Sequence, residues 1–456
     1  MADTEKYNQI KTEEIIDSLD KKQRYNFHNE FTDLHVYEQA EIFTTLDKEQ
    51  RQRVYQYLTT KELSDTFDAI EDDPEEVVKY FDEMSLKYVA ELLDNMYTDN
   101  EVDLLGQLDK HKLAKYLGLI DKDKANEIKS LLHYEDKTAG AIMSTDFASI
   151  VSSQTVRSAM QVLREEAENA ETIYYDYVVN NDKRLLGIVT LRNLLMSDED
   201  ALIGDIMTTP VMSVKADDDQ EDVAKMIRDY NFLAMPVTNY DEQLIGVITV
   251  DDIIDVIDEE SAEDYSGLAG VDTEEQTENP FKAASKRLPW LITLLFLGMS
   301  TASLVSHFEG LLSEASILAV FISLITGTAG NAGTQSLAVA VRRLAVKDDT
   351  EQSVVRLIIS EVFTGLVIGV VTGIAVTLIV GIWKDNFVLG MVIGLAMMSA
   401  ITVANLAGSF IPILMDKIGV DPAVASGPFI STLSDLTSVL IYFSIAQVFL
   451  KFFITS

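Results

Sequence analysis

Residues 431–443 read STLSDLTSVLIYF and carry one carboxylate, Asp435, inside an apolar run long enough to cross a bilayer. An ionised side chain at the centre of a membrane costs about 3 kcal/mol or more, so it calls for a compensating chemistry. A cation close by supplies one, because it stabilises the charged form of the acid. With a helix beginning near Ala423, Asp435 lies roughly 18 Å in at about 1.5 Å per residue, well short of Lys451, which places it near mid-membrane. Glu361, the other acid inside an apolar segment, follows Arg356 by five residues and reaches the interface by snorkelling.

A second stretch, GTAGNAGTQS at 327–336, is small and polar within an apolar segment. Glycines at that density weaken a helix by about 1 kcal/mol each relative to alanine, and they admit a backbone or an ion at close range. Asn331, Thr334 and Gln335 are suited to hydrogen bonds across helices, and carbonyls freed by local unwinding would face water. Asn405 offers a further polar contact. Gly365, Gly369 and Gly373, at four-residue spacing, read as close helix packing.

The elements that must position these groups divide the chain sharply. Of its 456 residues, 1–280 hold 64 Asp and Glu against 26 Lys and Arg, and 281–456 hold 10 of each, so the net charge of -38 belongs to the first part. Five apolar stretches follow, at 289–305, 315–341, 357–383, 387–415 and 423–449, each near or above spanning length. The polar, acidic amino terminus reads as neither signal peptide nor anchor. Lys282, Lys286 and Arg287 precede the first span, and Arg342, Arg343 and Arg356 lie between the second and third; this bias expects a cytosolic amino terminus and, after five spans, a carboxy terminus outside. Cysteine is absent and the five histidines lack metal-ligand spacing, which argues against zinc chemistry. The acid excess repels nucleic acid.

Residues 1–134 contain short amphipathic helical patterns and form an acidic all-α domain whose acids, including Glu91, Asp94 and Asp99, read by default as a solvated face. An internal repeat follows, over 135–200 and 201–256. GAIM at 140–143 recurs as GDIM at 204–207, and LLGIVTLRNLL at 185–195 as LIGVITVDDII at 244–254, the offsets differing by an insertion around AENAETIYY in the first copy. Each copy runs from loop through amphipathic helix, strand, glycine, strand and helix. The pattern resembles a tandem pair of cystathionine-β-synthase (CBS) repeats, an α/β regulatory module that often binds adenosine nucleotides such as ATP. The resemblance implies ribose contacts from Thr190 with Asn193 and from Thr249 with Asp252, and base walls at Tyr175, Phe232 and Pro236. Asn193 stands where an acid is usual.

The acidic segment 257–280 then reads as a connecting helix, and 281–456 as the membrane domain. Taken together, the acidic helical domain, CBS pair, connecting helix, five spans, GNAGTQS stretch and DPAVASGPF…STLSD segment resemble the MgtE family of magnesium transporters. The resemblance implies a multidomain homodimer in the plasma (inner) membrane, in contact with lipid, with a pore at the subunit interface. The carboxylate at Asp435 would select Mg²⁺, with Gly330, Asn331, Gly333, Thr334, Asn405 and Ser431 as candidate lining. It further implies that Mg²⁺ acts as regulator, closing the pore on acids matching Asp252, Asp255, Glu260, Glu263 and Asp264, with Glu91 and Asp94 as further candidates. Ala329, where glycine is common, and Gly427, where some members carry Asn, depart from the pattern. Mg²⁺ is small, takes octahedral oxygen ligands and sheds water reluctantly, so paired carboxylates and carbonyls suit the hydrated ion. Carboxylate chemistry alone leaves Mn²⁺ or Co²⁺ open. A non-transporting membrane sensor keeps the architecture; an enzyme reading lacks a nucleophile–base arrangement, a phosphate-binding glycine loop or a His-rich metal site.

Overall fold

A computed structural model describes residues 2–70, 74–167, 170–271, 280–346, 351–418, 422 and 427–454. They form two compact units, 1–257 and 258–456. The chain is a multidomain membrane protein with a helical amino-terminal domain, a CBS pair and a helical membrane region, as its patterning indicates.

The amino-terminal domain is built from short helices whose starts are set by side chains. Asp47 with Gln50 and Thr59 with Glu62 form reciprocal capping boxes, and Ser85, Asp109 and Asp121 accept from backbone N–H groups of the turns they begin. The apolar stripes meet around Phe27, Phe31, Phe43, Leu63, Leu92 and Leu105. Arg51 clamps Glu83 with two nitrogens, at 3.0 and 2.8 Å.

The repeat folds as two three-stranded sheets. Strands β1 (Phe147–Val151), β2 (Thr172–Val179) and β3 (Leu185–Thr190) make the first; β4 (Val214–Lys215), β5 (Ala234–Thr238) and β6 (Leu244–Thr249) make the second. In each, the first strand is parallel to the central one and the last antiparallel to it. The repeated motifs interlock across the pair. Met143 of GAIM lies over Gly246, where an added Cβ would sit 2.6 Å from its sulfur, and Met207 of GDIM lies over Gly187 at 2.8 Å. Ser144 bridges to Val247 and Thr208 to Ile188 in the same exchanged sense. Each recurrent glycine therefore makes room for the methionine of the other copy's motif.

The helix after β6 runs without a break over Val250–Ala269, so the connecting helix begins within the second repeat. Five further helices are long and apolar enough to cross a membrane among the described residues. In chain order they are Pro280–His307, Ile322–Val346, Glu351–Trp383, Phe387–Lys417 and Gly427–Ile454, here called the first to fifth membrane helices. The regular glycines pack helices tightly, as their spacing indicates: a Cβ on Gly369 would meet the Met398 carbonyl at 2.8 Å, and one on Gly373 the Gly394 carbonyl at 2.7 Å.

Two expectations are corrected here, and a third falls outside the described residues. The second membrane helix is continuous through 327–336 rather than unwound; Gly330 and Gly333 pack against the fifth helix, and a Cβ on Gly327 would meet nothing within 4 Å. Glu361 is buried, at 8% exposure, and accepts from Ser336 instead of snorkelling. Ala423 lies outside the described residues, as does 272–279 of the connecting segment, and the fifth membrane helix is described from Gly427. Asp435 lies roughly 12 Å beyond Gly427 at about 1.5 Å per residue.

Candidate metal centre

Three short-range contacts assemble one acidic site in the first unit. Helix Thr98–Gly106 has no side-chain cap of its own on Tyr97. Instead Asp146, before β1, accepts from Thr98 N and Oγ1 at 2.9 and 2.7 Å, and this fixes the turn that carries Asp99. The carbonyl of the same Asp146 accepts from Glu171 N at 2.9 Å and so places Glu171 just ahead of β2. Asp252 opens the connecting helix, where its Oδ2 accepts from Thr249 N at 3.1 Å and Oγ1 at 2.6 Å. Asp99, Glu171 and Asp252 each bring one carboxylate oxygen to within 4.8 Å of the others.

The electrostatics of this trio are unfavourable without a cation. Asp99 is only 9% exposed. Burial, then Asp252 and Glu171, pushes its carboxyl well above the usual range. Burial and then Asp252 push Glu171 up to about 7, and burial raises Asp252 to about 6 against the opposing hydrogen bond from Thr249. Asp99 Oδ1 and Glu171 Oε2 are buried without a protein hydrogen-bond partner. Buried acceptors without donors are costly. An oxygen-seeking divalent cation among them would answer both problems, since carboxylate oxygens are the ligands Mg²⁺ takes.

Of the sequence-derived regulatory residues, Asp252 is in this centre and Asp255 lies close enough to add to its repulsion. Glu260, Glu263 and Asp264 lie farther along the same helix, in the second unit. Glu91 is exposed and pairs with Lys87 at 3.1 Å, and Asp94 ends its helix with its carbonyl on Lys124. Neither joins the trio. Asp99, read as part of a solvated face, takes that place because its helix start turns it inward. Glu171 escaped notice altogether. The signal available for it was the insertion AENAETIYY, to which it belongs.

In the membrane unit, Gly330 and Gly333 are buried against the fifth helix: added Cβ atoms would lie 2.8 Å from Ser431 Oγ and 3.0 Å from Ser434 Oγ. Asn405 is buried as well. These three form the seam between helices. Asn331 is exposed, and Thr334, Ser431 and Asp435 are half-buried beside that seam.

Residues 34–137 match the MgtE intracellular amino-terminal domain, 139–200 and 203–259 match CBS domains, and 322–445 match the MgtE divalent cation transporter domain. A magnesium transporter MgtE of Enterococcus faecalis is 63% identical over 96% of this chain and 97% of its own length. The chain belongs to the MgtE family. A magnesium transporter MgtE of Bacillus subtilis is 36% identical over 93% of this chain and 94% of its own length. A crystal structure of the soluble part of a magnesium transporter, 53% identical, covers 56% of this chain and all of its own, with a TM-score of 0.54. The MgtE family consists of transporters rather than enzymes.

The residues expected to contact a nucleotide fall in separate surroundings within this MgtE chain. Thr190 caps the helix Leu191–Met196, accepting from Asn193 N at 3.2 Å and donating to Asn193 Oδ1 at 3.0 Å, and Tyr175 stands opposite Thr190 across the β2–β3 pair. Phe232 stacks on Tyr230, with centroids 5.5 Å apart, and Pro236 is buried in β5. The equivalent Thr249 and Asp252 are likewise engaged with each other, and Asp252 also belongs to the acidic trio.

Proposed function

We propose that the chain carries Mg²⁺ across the plasma membrane as a homodimer, with its amino terminus in the cytosol and carboxy terminus outside. Asp435 is the selecting carboxylate, and Ser431 and the second-helix stretch around Asn331 and Thr334 shape the ion path beside it. The sequence similarity to magnesium transporters over nearly the whole chain supports Mg²⁺ over Mn²⁺ or Co²⁺ as the cargo.

Transport is closed by the same ion on the cytosolic side. The observation that carries this reading is the end of the connecting helix: Leu268 packs against the cluster of Leu337, Val341 and Ile430, and its carbonyl would meet a Cβ on Gly427 at 3.2 Å. The helix that opens with Asp252 therefore ends on the helix pair that carries Asp435, and glycine at 427 permits the approach. Mg²⁺ on Asp99, Glu171 and Asp252, with Asp255, Glu260, Glu263 and Asp264 as further ligands along the helix, removes repulsion worth about 1–4 kcal/mol per close pair at effective dielectrics of about 80 to 20. A ligand shifts an equilibrium only by preferring one state, and here the preferred state is the closed one. ATP, or another adenosine nucleotide, binds at Tyr175, Thr190 and Asn193 of the first repeat.

The test is ion flux into liposomes carrying the purified full chain, measured for Mg²⁺, Mn²⁺, Co²⁺ and Ca²⁺ with Asp435→Asn beside the parent. Loss of Mg²⁺ selectivity in the variant is expected. Parental discrimination between Mg²⁺ and Ca²⁺ in Asp435→Asn would remove the selecting role, faster Mn²⁺ or Co²⁺ flux would reassign the cargo, and absence of any flux would leave a sensor.

A further inference from the structure

Helix Thr98–Gly106 carries Asp99 into the acidic trio, and one cation of the same unit grips the chain on both sides of that residue. Lys124, on helix Lys122–Leu131, donates from Nζ to the Asp94 carbonyl at 3.0 Å and to the carbonyls of Leu93 and Met96 at 3.5 Å. These oxygens stand where helix Leu86–Leu93 ends, at the negative end of its dipole. The same Nζ lies 3.1 Å from Oε2 of Glu101, whose side chain is fully buried, while that of Lys124 is largely so. Met96 precedes Asp99 by three residues and Glu101 follows it by two.

A carboxylate taken out of water needs an opposing charge. Glu101 sits among like charges, since Asp94 and Asp146 repel it, and Lys124 opposes them. The ammonium also attracts Asp68, whose Oδ1 accepts from Tyr97 N at 3.4 Å and from Asn100 Nδ2 at 3.1 Å. Tyr97 and Asn100 flank Thr98 and Asp99, and Thr98 is itself held by Asp146. Three donors on a compact ammonium match this set of carbonyl and carboxylate oxygens.

We infer that Lys124 is a positioning residue of the acidic centre: its ammonium ties the turn at 93–97 to Glu101 and so holds the start of helix Thr98–Gly106 in the orientation that turns Asp99 toward Glu171 and Asp252. It acts through the backbone on which Asp99 stands. The inference rests on the reading of the trio as the centre through which Mg²⁺ closes transport.

The full-length protein in liposomes tests this, with Mg²⁺ influx followed as a function of Mg²⁺ on the cytosolic side. Lys124→Met keeps the stem and loses the charge. It should raise the half-inhibiting Mg²⁺ concentration about fivefold or more, the scale of a lost charge-assisted hydrogen bond, with influx at low Mg²⁺ within about twofold of the parent. Lys124→Met with Glu101→Gln, which leaves no unpaired buried carboxylate, should stay shifted because the carbonyls still lack their cation. In an Asp99→Asn background Lys124→Met should add less than about twofold, since both changes act on one ligand. Arg51→Met breaks the buried pair with Glu83 in the same domain and should lower the thermal midpoint without moving the Mg²⁺ midpoint. A parental Mg²⁺ midpoint in Lys124→Met and in its double with Glu101→Gln, a full further shift in the Asp99→Asn background, or an equal shift in Arg51→Met would overturn the inference. A parental midpoint in Asp99→Asn alone would remove the trio as the sensor and the role of Lys124 with it, whereas a shifted Asp99→Asn beside a parental Lys124→Met would remove only the latter.

Discussion

Asp99 and Asp252 begin two helices of different domains, yet their carboxylate oxygens approach within 4.8 Å, with Glu171 alongside. If Mg²⁺ bridges them, Asp99→Asn combined with Asp252→Asn should raise the cytosolic Mg²⁺ concentration that half-inhibits influx by about tenfold, the equivalent of about 1.4 kcal/mol of lost closed-state preference. Influx at low Mg²⁺ should remain. Glu91→Gln, on an exposed side chain paired with Lys87, should shift the midpoint far less. Equal shifts from both would dissolve the trio as a sensor.

Asp176, in β2, is fully buried and neither carboxylate oxygen has a hydrogen-bond partner. Burial, then the neighbouring Glu166, pushes its carboxyl from 3.8 up to about 7. The folded state therefore binds a proton that the unfolded chain has released between about pH 4 and 7, so Asp176 subtracts stability increasingly as pH rises through that window. Asp176→Asn should stabilise the protein at pH 8 by about 1–3 kcal/mol and make little difference at pH 4. Denaturation midpoints of parent and variant at the two pH values check this; a pH-independent difference contradicts it.

A Cβ on Gly408 would collide with the Gly333 carbonyl at the crossing of the second and fourth membrane helices, whereas nothing lies within 4 Å of one on Gly298. Gly408→Ala is expected to lower the thermal midpoint in detergent, with a cost of about 1–3 kcal/mol from overpacking, and to reduce influx. Gly298→Ala should be near neutral. Equal thermal midpoints for the two variants would show that the seam yields without cost.

Asn193 stands at the position proposed to hold a ribose in the first repeat, without the charge that strengthens a hydrogen bond to a hydroxyl. Titration calorimetry on the full chain should detect ATP binding, Asn193→Asp should tighten it by about fivefold, and Thr190→Val should weaken it by at least as much, each change being about 1 kcal/mol. Absence of heat at millimolar ATP would make the pair structural.

What was legible in the residues alone is what depends on short stretches of chain. The recurrence of GAIM as GDIM and of LLG as LIG marked the repeat, though not that each motif's methionine sits over the other copy's glycine. Apolar length marked the five membrane helices, and the spacing of Gly365, Gly369 and Gly373 marked a packing face. Asp435 stands out as a lone carboxylate inside an apolar run, and Asp252 through the resemblance of its repeat to a regulatory module. Only the tertiary structure decided where other acids belong. Asp99 looked solvated on helical pattern, but Asp146 holds its helix start so that it turns toward Asp252 and Glu171. Glu361 was assigned to the interface from its distance to Arg356, but Ser336, from another helix, holds it inside. The glycines of 327–336 suggest either unwinding or close approach, and it is Ser431 and Ser434 of another helix that fill the space beside Gly330 and Gly333. The physical reason is common to all three. Periodicity reports which face of its own helix a residue occupies, whereas the environment of a carboxylate or a glycine is set by which other helix lies against that face, a property of long-range packing that no local spacing encodes.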